Sequence, residues 1–217
     1  MRSAIIAAGL CLTLFAQEHE IDRIAVVVNR QPITMGEWEQ QERFEALSNG
    51  ETWTAVKHSR EALDRLIDRA LILEQMRQVE QRRADATTTA AQLTSFRHEL
   101  KLDDDSTWRA ALHRYGLLEA DVADVIAEQT EVIGFIEQRF RPAVHVAPED
   151  VRRYYRQSYV PEFAKTAKSG EKPPVLDQVQ SQIVAILAEQ RINDLFSAWL
   201  KNLRAQANIR RIAKESR

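Results

Sequence analysis

Histidine followed by an acidic residue is the first pattern in this sequence that could support metal chemistry. The five histidines stand far apart. A zinc-binding helix with the pattern His-Glu-x-x-His would continue from His98 and Glu99 to a second histidine at position 102. That position is Leu102. We therefore predict no histidine-based metal site.

A run of aspartates at 103–105 is acidic enough to suggest calcium. An EF-hand loop that starts at Asp103 would need glycine at position 108 and glutamate at position 114. The sequence has Trp108 and Arg114 there. We therefore interpret the run as the start of a helix in solvent, with Asp105 or Ser106 as the N-cap.

Catalytic motifs built on a nucleophile or a phosphate-binding loop do not occur in the sequence. The acid pairs Glu37/Glu39 and Asp121/Asp124 fall on predicted solvent-facing helix positions, where nothing would raise a catalytic pKa. We predict no catalytic residue, no metal and no cofactor, and hence that the protein is not an enzyme. An enzyme of unrecognised type is the alternative.

Aromatic side chains near loops are a better candidate for function. Trp38, Phe44 and Trp53 flank the first predicted helix, and Tyr159 and Phe163 stand at the start of a linker. Proteins that hold unfolded chains need exposed apolar surface beside polar walls. We predict that these residues bind peptide; the competing interpretation, for each taken singly, is packing in the core.

Composition limits the classes of function. The chain has 217 residues, and 30 basic against 32 acidic side chains give a net charge of −2. This balance removes the electrostatic argument for nucleic-acid binding. The single cysteine, Cys11, excludes an internal disulfide and a cysteine-based metal site.

The N-terminus has the pattern of a signal peptide. Arg2 precedes an uncharged apolar run at 4–16, which is shorter than the ~20 residues of a membrane-spanning helix. We predict cleavage after Ala16 and export to the periplasm, with no membrane span in the mature chain. The alternatives are lipidation at Cys11 and a buried N-terminal helix.

The elements that must position these residues are mostly helices. Residues 21–29 are rich in β-branched side chains and predict a strand that runs into a turn at Pro32, and Thr34 with Glu37 has the spacing of a capping box. Gly134 lies inside a predicted helix, which suggests a close helix crossing. Prolines, lysines and a glycine at 160–174 predict an exposed, mobile loop. The helices are predicted at about 35–47, 60–83, 107–115, 119–140 and 175–207, and a last strand at 209–212.

The order of these elements resembles the SurA/PrsA group of exported foldases. The similarity is carried by short segments spread over nearly the whole mature chain. They are IDRIAVVVN at 21–29 with PIT at 32–34, RLIDRALI at 65–72, VAPEDVRRYY at 146–155, WLKNLR at 199–204 and NI at 208–209.

The resemblance implies a mainly α, discontinuous helical chaperone core. Residues 17–159 and 175–213 would form it together, with a small two-stranded pairing of the first and last strands. Relatives carry a parvulin prolyl-isomerase domain where this chain has only the linker at 160–174, and a domain needs ~50 residues at least. Isomerase activity is therefore not expected.

From the resemblance we expect an ATP-independent holdase that binds unfolded or nascent envelope proteins, as a monomer or a homodimer. A non-catalytic assembly subunit for one specific envelope partner is the alternative. Breadth of binding separates the two, because a holdase protects several unrelated unfolded proteins and a subunit holds one partner.

Overall fold

Helices form most of the molecule. The computed structural model describes residues 22–78, 86–167 and 171–212. The strands are β1 (Ile24–Val28), β2 (Gln31–Thr34) and β3 (Ile209–Arg211); the helices are α1 (Met35–Ser48), α2 (Arg60–Arg77), α3 (Ala86–Glu99), α4 (Asp105–Tyr115), α5 (Glu119–Phe140), α6 (Pro148–Tyr154), α7 (Val160–Thr166) and α8 (Leu176–Gln206). The prediction of a mainly α fold is confirmed.

The two ends of the chain meet in a small antiparallel sheet with the strand order β2-β1-β3. Val26 lies opposite Arg211 and Val28 opposite Ile209, which confirms the predicted pairing of the first and last strands. The sheet has three strands rather than two. Asn29 takes a left-handed φ of 56°, so the chain turns back at once, and β2 forms where the sequence suggested only a turn.

Local signals set the start of α1 as predicted. The Glu37 amide donates to Thr34 Oγ1 at 3.2 Å, and the Thr34 amide donates to Glu37 Oε2 at 2.7 Å, which completes the capping box at the start of α1. The start of α4 differs from the prediction, because Asp104 and not Asp105 or Ser106 is the N-cap.

Helix α8 joins the N-terminal and C-terminal parts of the chain. Its 31 residues span ~46 Å at the usual rise of 1.5 Å per residue. Its first half packs on α6, where Val151, Val179 and Ile183 are buried together. Its last turns pack against α2 and β1, through Leu203 and the residues that follow.

Arg204 fixes the end of α8 to α2. Its guanidinium binds the Asp68 carboxylate and donates to the Asp64 carbonyl at 2.8 Å, across about 140 positions of sequence. The pKa of Arg204 is raised, first by the hydrogen bond to Asp68. The predicted packing of the far C-terminal helix on the N-terminal helices is therefore present.

The expected loop at 160–174 begins later than predicted. Val160–Thr166 is helical and continues α6 through a π-helical turn, Tyr155–Tyr159. Pro161 stands at the start of α7, directly after this π-helical turn. None of the seven residues of α7, all of which the structure describes, is buried. The proposed division of the chain at this segment stays a prediction.

Two other predictions concern Gly134 and the signal peptide. A Cβ added to Gly134 would meet no atom of the described chain within 4 Å, so the predicted close helix crossing there is wrong. The signal-peptide prediction, with cleavage after Ala16 and the alternative at Cys11, lies outside the described residues. Within the described ranges, every helix is too short or too polar to cross a membrane.

Candidate polypeptide-binding cleft

An open cleft of about 360 Å³ lies where α2, α5 and α8 meet. Residues three or four apart share one face of a helix, and this spacing brings together the side chains that form the walls. The apolar lining consists of Ile72 from α2, Val132 and Ile133 from α5, and Phe196 and Leu200 from α8. The cleft therefore presents aliphatic and aromatic surface from three separate parts of the sequence.

Ile133 is the most accessible apolar residue of this lining. Its side chain is 62% exposed, whereas Ile72 on the facing helix is 5% exposed. A single exposed aliphatic residue is common on protein surfaces. Ile133 differs because it adjoins a continuous apolar lining, and such a surface marks a binding site for an apolar partner.

The α5 and α8 walls are held from behind by aromatic packing. Phe135 packs against Trp199 with ring centroids 5.9 Å apart, and Phe140 packs against the same indole at 5.7 Å. The Arg139 guanidinium lies 5.1 Å from the centre of the Trp199 ring. Contacts of this kind stabilise the pairing of α5 with α8, so the two walls stay in place when the cleft is empty.

Charged side chains on the rim of the cleft are paired with one another. Arg65 binds Glu45, and Asp68 binds Arg204. The Arg69 Nε lies 2.8 Å from Glu128 Oε1, across the gap between α2 and α5. Because each of these rim charges has a counter-charge within the protein, the cleft favours a ligand segment that is apolar and uncharged.

Glu128 is the polar group most strongly affected by the cleft. Its Oε1 is buried and has no hydrogen bond within the described part of the chain, because the nearby Arg69 Nε is not aligned to donate. Burial raises the pKa of the Glu128 carboxyl, and the positive charge of Arg69 opposes this effect only in part.

Two of the predicted peptide-binding residues belong to the core. Trp38 is 1% exposed and donates from Nε1 to the Ser59 carbonyl at 3.0 Å. Phe44 is 5% exposed and stacks on Phe96 with ring centroids 5.7 Å apart. A polypeptide cannot reach either ring while the core is closed, so the competing interpretation of core packing fits both residues.

Trp53 lies elsewhere, in the loop between α1 and α2. It is half-buried and lines a pocket of about 240 Å³ with several glutamates, among them Glu51 and Glu61. The Arg43 guanidinium lies 5.7 Å from the centre of its ring. This pocket shares Arg65 with the α2–α5–α8 cleft, but Trp53 itself does not line that cleft.

Tyr159 and Phe163 are the two predicted residues that the structure brings together. Both line an open groove of about 560 Å³ along the π-helical turn and α7, together with Pro161. The Tyr159 ring also stacks on Tyr155 at 5.8 Å. This groove is therefore a second surface at which aromatic side chains are partly accessible.

The cleft residues were not singled out from the sequence as binding residues. One signal was present, because Val132 and Ile133 are adjacent and both apolar within the predicted helix 119–140. A helix that buries a single stripe cannot bury two adjacent positions equally well. The surplus apolar position, Ile133, is the one left exposed.

Comparisons with known proteins find a likeness in structure and none in sequence. No protein-family model matches the sequence, and no curated protein matches it. A solved structure has a similar fold. It comes from a study that describes the virulence factor PEB4 and the periplasmic protein Cj1289 of Campylobacter jejuni as two structurally related SurA-like chaperones. The TM-score is 0.54 at 14% identity, over 89% of this chain and 100% of that chain.

This likeness shows a shared fold. It agrees with the resemblance stated from the sequence, in which nearly the whole mature chain follows the order of elements of the SurA/PrsA group. Within the described residues, no group of histidine, cysteine, aspartate or glutamate side chains is arranged to hold a metal ion.

Proposed function

We propose that this protein is an exported, ATP-independent chaperone that holds unfolded polypeptides in the α2–α5–α8 cleft. The observation that carries the proposal is the apolar lining with Ile133 exposed beside charges that are already paired. The SurA-like fold supports the same conclusion. The protein acts by binding and not by catalysis.

The occupant of the cleft is an uncharged, apolar segment of an unfolded chain. A charged segment would lose hydration without gaining a free counter-charge, since Arg65, Asp68 and Arg69 are engaged within the protein. An aliphatic or aromatic side chain instead gains about 25 cal/mol for each Å² of apolar surface that it buries. Broad sequence tolerance follows, because apolar burial is not directional.

The site of action is the periplasm. The apolar N-terminal run at 4–16 supports export, and the structural neighbours are described as a virulence factor and a periplasmic protein. The clients are envelope proteins in transit. Tyr159, Phe163 and Trp53 form secondary contacts with longer clients, because each is partly exposed and lies outside the main cleft.

The test is a binding titration with a matched pair of substitutions. Ile133→Asp places a charge inside the cleft, and Leu118→Asp places the same charge at a residue that is 69% exposed and outside it. The ligand is a fluorescently labelled, permanently unfolded protein, and the readout is its anisotropy. Both variants are first shown by circular dichroism to be folded at the assay temperature, because Leu118 is the N-cap of α5, where aspartate is favoured and changes the melting temperature.

We expect Ile133→Asp to weaken binding about 10- to 100-fold, since the contribution of a buried aliphatic side chain is ~1.5–3 kcal/mol. Leu118→Asp keeps the wild-type affinity. Equal affinities for all three proteins would show that clients do not enter this cleft. A wild-type protein that binds one folded partner but no unfolded chain would instead support the assembly-subunit alternative.

A further inference from the structure

Glu128 lines the cleft beside its apolar surface and is the acidic group that a seated client would cover. The carboxylate lies between Arg69 on α2 and the apolar residues Val132 and Ile133 on its own helix. Its side chain is 29% exposed in the empty cleft. A polypeptide segment seated on Ile133 covers this remaining surface and removes the water that still hydrates the carboxylate.

Removal of this water favours the neutral acid over the carboxylate. One oxygen, Oε1, is already buried without a hydrogen bond from the described chain, so the carboxylate depends on water at the surface that remains exposed. The ion pair with Arg69 lowers the pKa of Glu128 and so opposes the effect of burial. In the empty cleft burial already has the larger effect, because the pKa of Glu128 lies above its ordinary value. Further burial therefore shifts the balance further toward the protonated form.

The other charged groups that face Glu128 do not reverse this direction. Glu131 on α5 and Glu37 on α1 are both acidic, and their charge also favours the neutral form of Glu128. On α2, Arg65 is engaged by Glu45 and Asp68 by Arg204. The residues that α8 contributes to the cleft lining, Phe196 and Leu200, carry no charge.

We infer that the seating of a client in the cleft is coupled to the uptake of a proton by Glu128, so that apolar segments bind more tightly as the pH falls. The inference rests on the proposed function. Coupling between two ligands is reciprocal. If client binding promotes protonation of Glu128, protonation of Glu128 strengthens client binding by the same factor. For one proton the gain in affinity is at most about tenfold per pH unit.

The experiment uses a capped apolar peptide whose only charged side chains are lysines. Such a probe has no group that titrates between about pH 4 and pH 8. Calorimetric titration in two buffers of different ionisation enthalpy gives the number of protons taken up on binding. The proteins are wild type, Glu128→Gln, and Glu99→Gln as the control, since Glu99 is exposed on α3 and away from the cleft.

We expect wild type and Glu99→Gln to take up a fraction of a proton and to bind several-fold more tightly at pH 5 than at pH 7. Glu128→Gln should bind at both pH values with no proton uptake and no change in affinity. Arg69→Gln should move the rise in affinity to higher pH, because the charge that opposes protonation is gone.

Two different failures can be told apart. The coupling is overturned if wild type binds the peptide without proton uptake, or if Glu128→Gln takes up as many protons as wild type. Either result leaves the proposed function standing. Failure of the peptide to bind wild type at any pH overturns both the cleft as a client site and the coupling that depends on it.

Discussion

Replacement of Trp38 by alanine decides whether this aromatic residue stabilises the fold or binds clients. The indole is 1% exposed and packs among Ala62, Leu63 and Leu66 of α2. Its Nε1 donates to the Ser59 carbonyl at 3.0 Å, just before α2 begins. The substitution therefore removes both a large buried ring and the hydrogen bond that ties α1 to the start of α2.

The expected loss is about 3–5 kcal/mol of unfolding free energy, the usual cost of truncating a buried tryptophan to alanine. A domain of this kind has ~5–15 kcal/mol in total, so the variant should be visibly destabilised at room temperature. Trp38→Phe keeps most of the ring and loses one of the two hydrogen bonds to the Ser59 carbonyl, which still accepts from the Leu63 amide at 3.2 Å, so it should cost only ~0.5–1.5 kcal/mol.

Urea unfolding followed by the helical circular dichroism signal measures these losses. The control is Phe163→Ala, because Phe163 is half-exposed on α7, a helix with no buried side chain along its fully described length. We expect the control to change the unfolding free energy by less than ~1 kcal/mol. If Trp38→Ala has the same unfolding free energy as wild type and binds clients more weakly, the assignment of Trp38 to the core is refuted.

Two glycines and one arginine give further predictions. Gly134→Ala should raise the unfolding free energy by ~0.5–1 kcal/mol, since a Cβ there meets no described atom within 4 Å and alanine favours the helix. Gly116→Ala should lower it by about 1 kcal/mol or more, because φ is +63° and the new Cβ would lie 2.6 Å from an Arg43 nitrogen; a melting temperature of Gly134→Ala below wild type, or of Gly116→Ala at or above wild type, would contradict the corresponding statement. Arg204→Met should lower the unfolding free energy by ~1–2 kcal/mol through loss of the bonds to Asp68 and Asp64, and an unchanged urea midpoint would show that the two ends of the chain do not depend on this contact.

Features of the fold that depend on nearby residues could be predicted from the sequence. The capping box of Thr34 and Glu37 is a matter of spacing within one helical turn. The strand pairing at the two chain ends joins distant residues, and it was expected from the family resemblance rather than from any local pattern. Strand β2 was missed, since a turn at Asn29 does not by itself show that the chain pairs again after it.

Features that depend on the packing of distant segments could not be predicted. Trp38 and Trp53 both stand near loops in the sequence, yet only Trp38 lies against α2 and is buried. The linker at 160–174 contains prolines and lysines, but Pro161 stands within α7 directly after a π-helical turn, and Glu162 pairs with Lys165 at 2.6 Å. Composition alone does not distinguish these outcomes.

The cleft is the clearest case of this limit. Its walls come from α2, α5 and α8, which are separated by long stretches of sequence. Each stripe of apolar residues is visible alone as an amphipathic helix. Whether Ile133 faces solvent or a neighbouring helix depends on how the three helices meet, and no local pattern contains that information.

Site-specific photo-crosslinking tests the central claim most directly. A photoreactive side chain is placed at Ile133, inside the cleft, and in a matched protein at Leu118, outside it and similarly exposed. Each protein is mixed, without ATP, with three unrelated unfolded proteins. The account predicts crosslinks from position 133 to all three clients and none above background from position 118. Equal crosslinking from both positions, or none from 133, would contradict it.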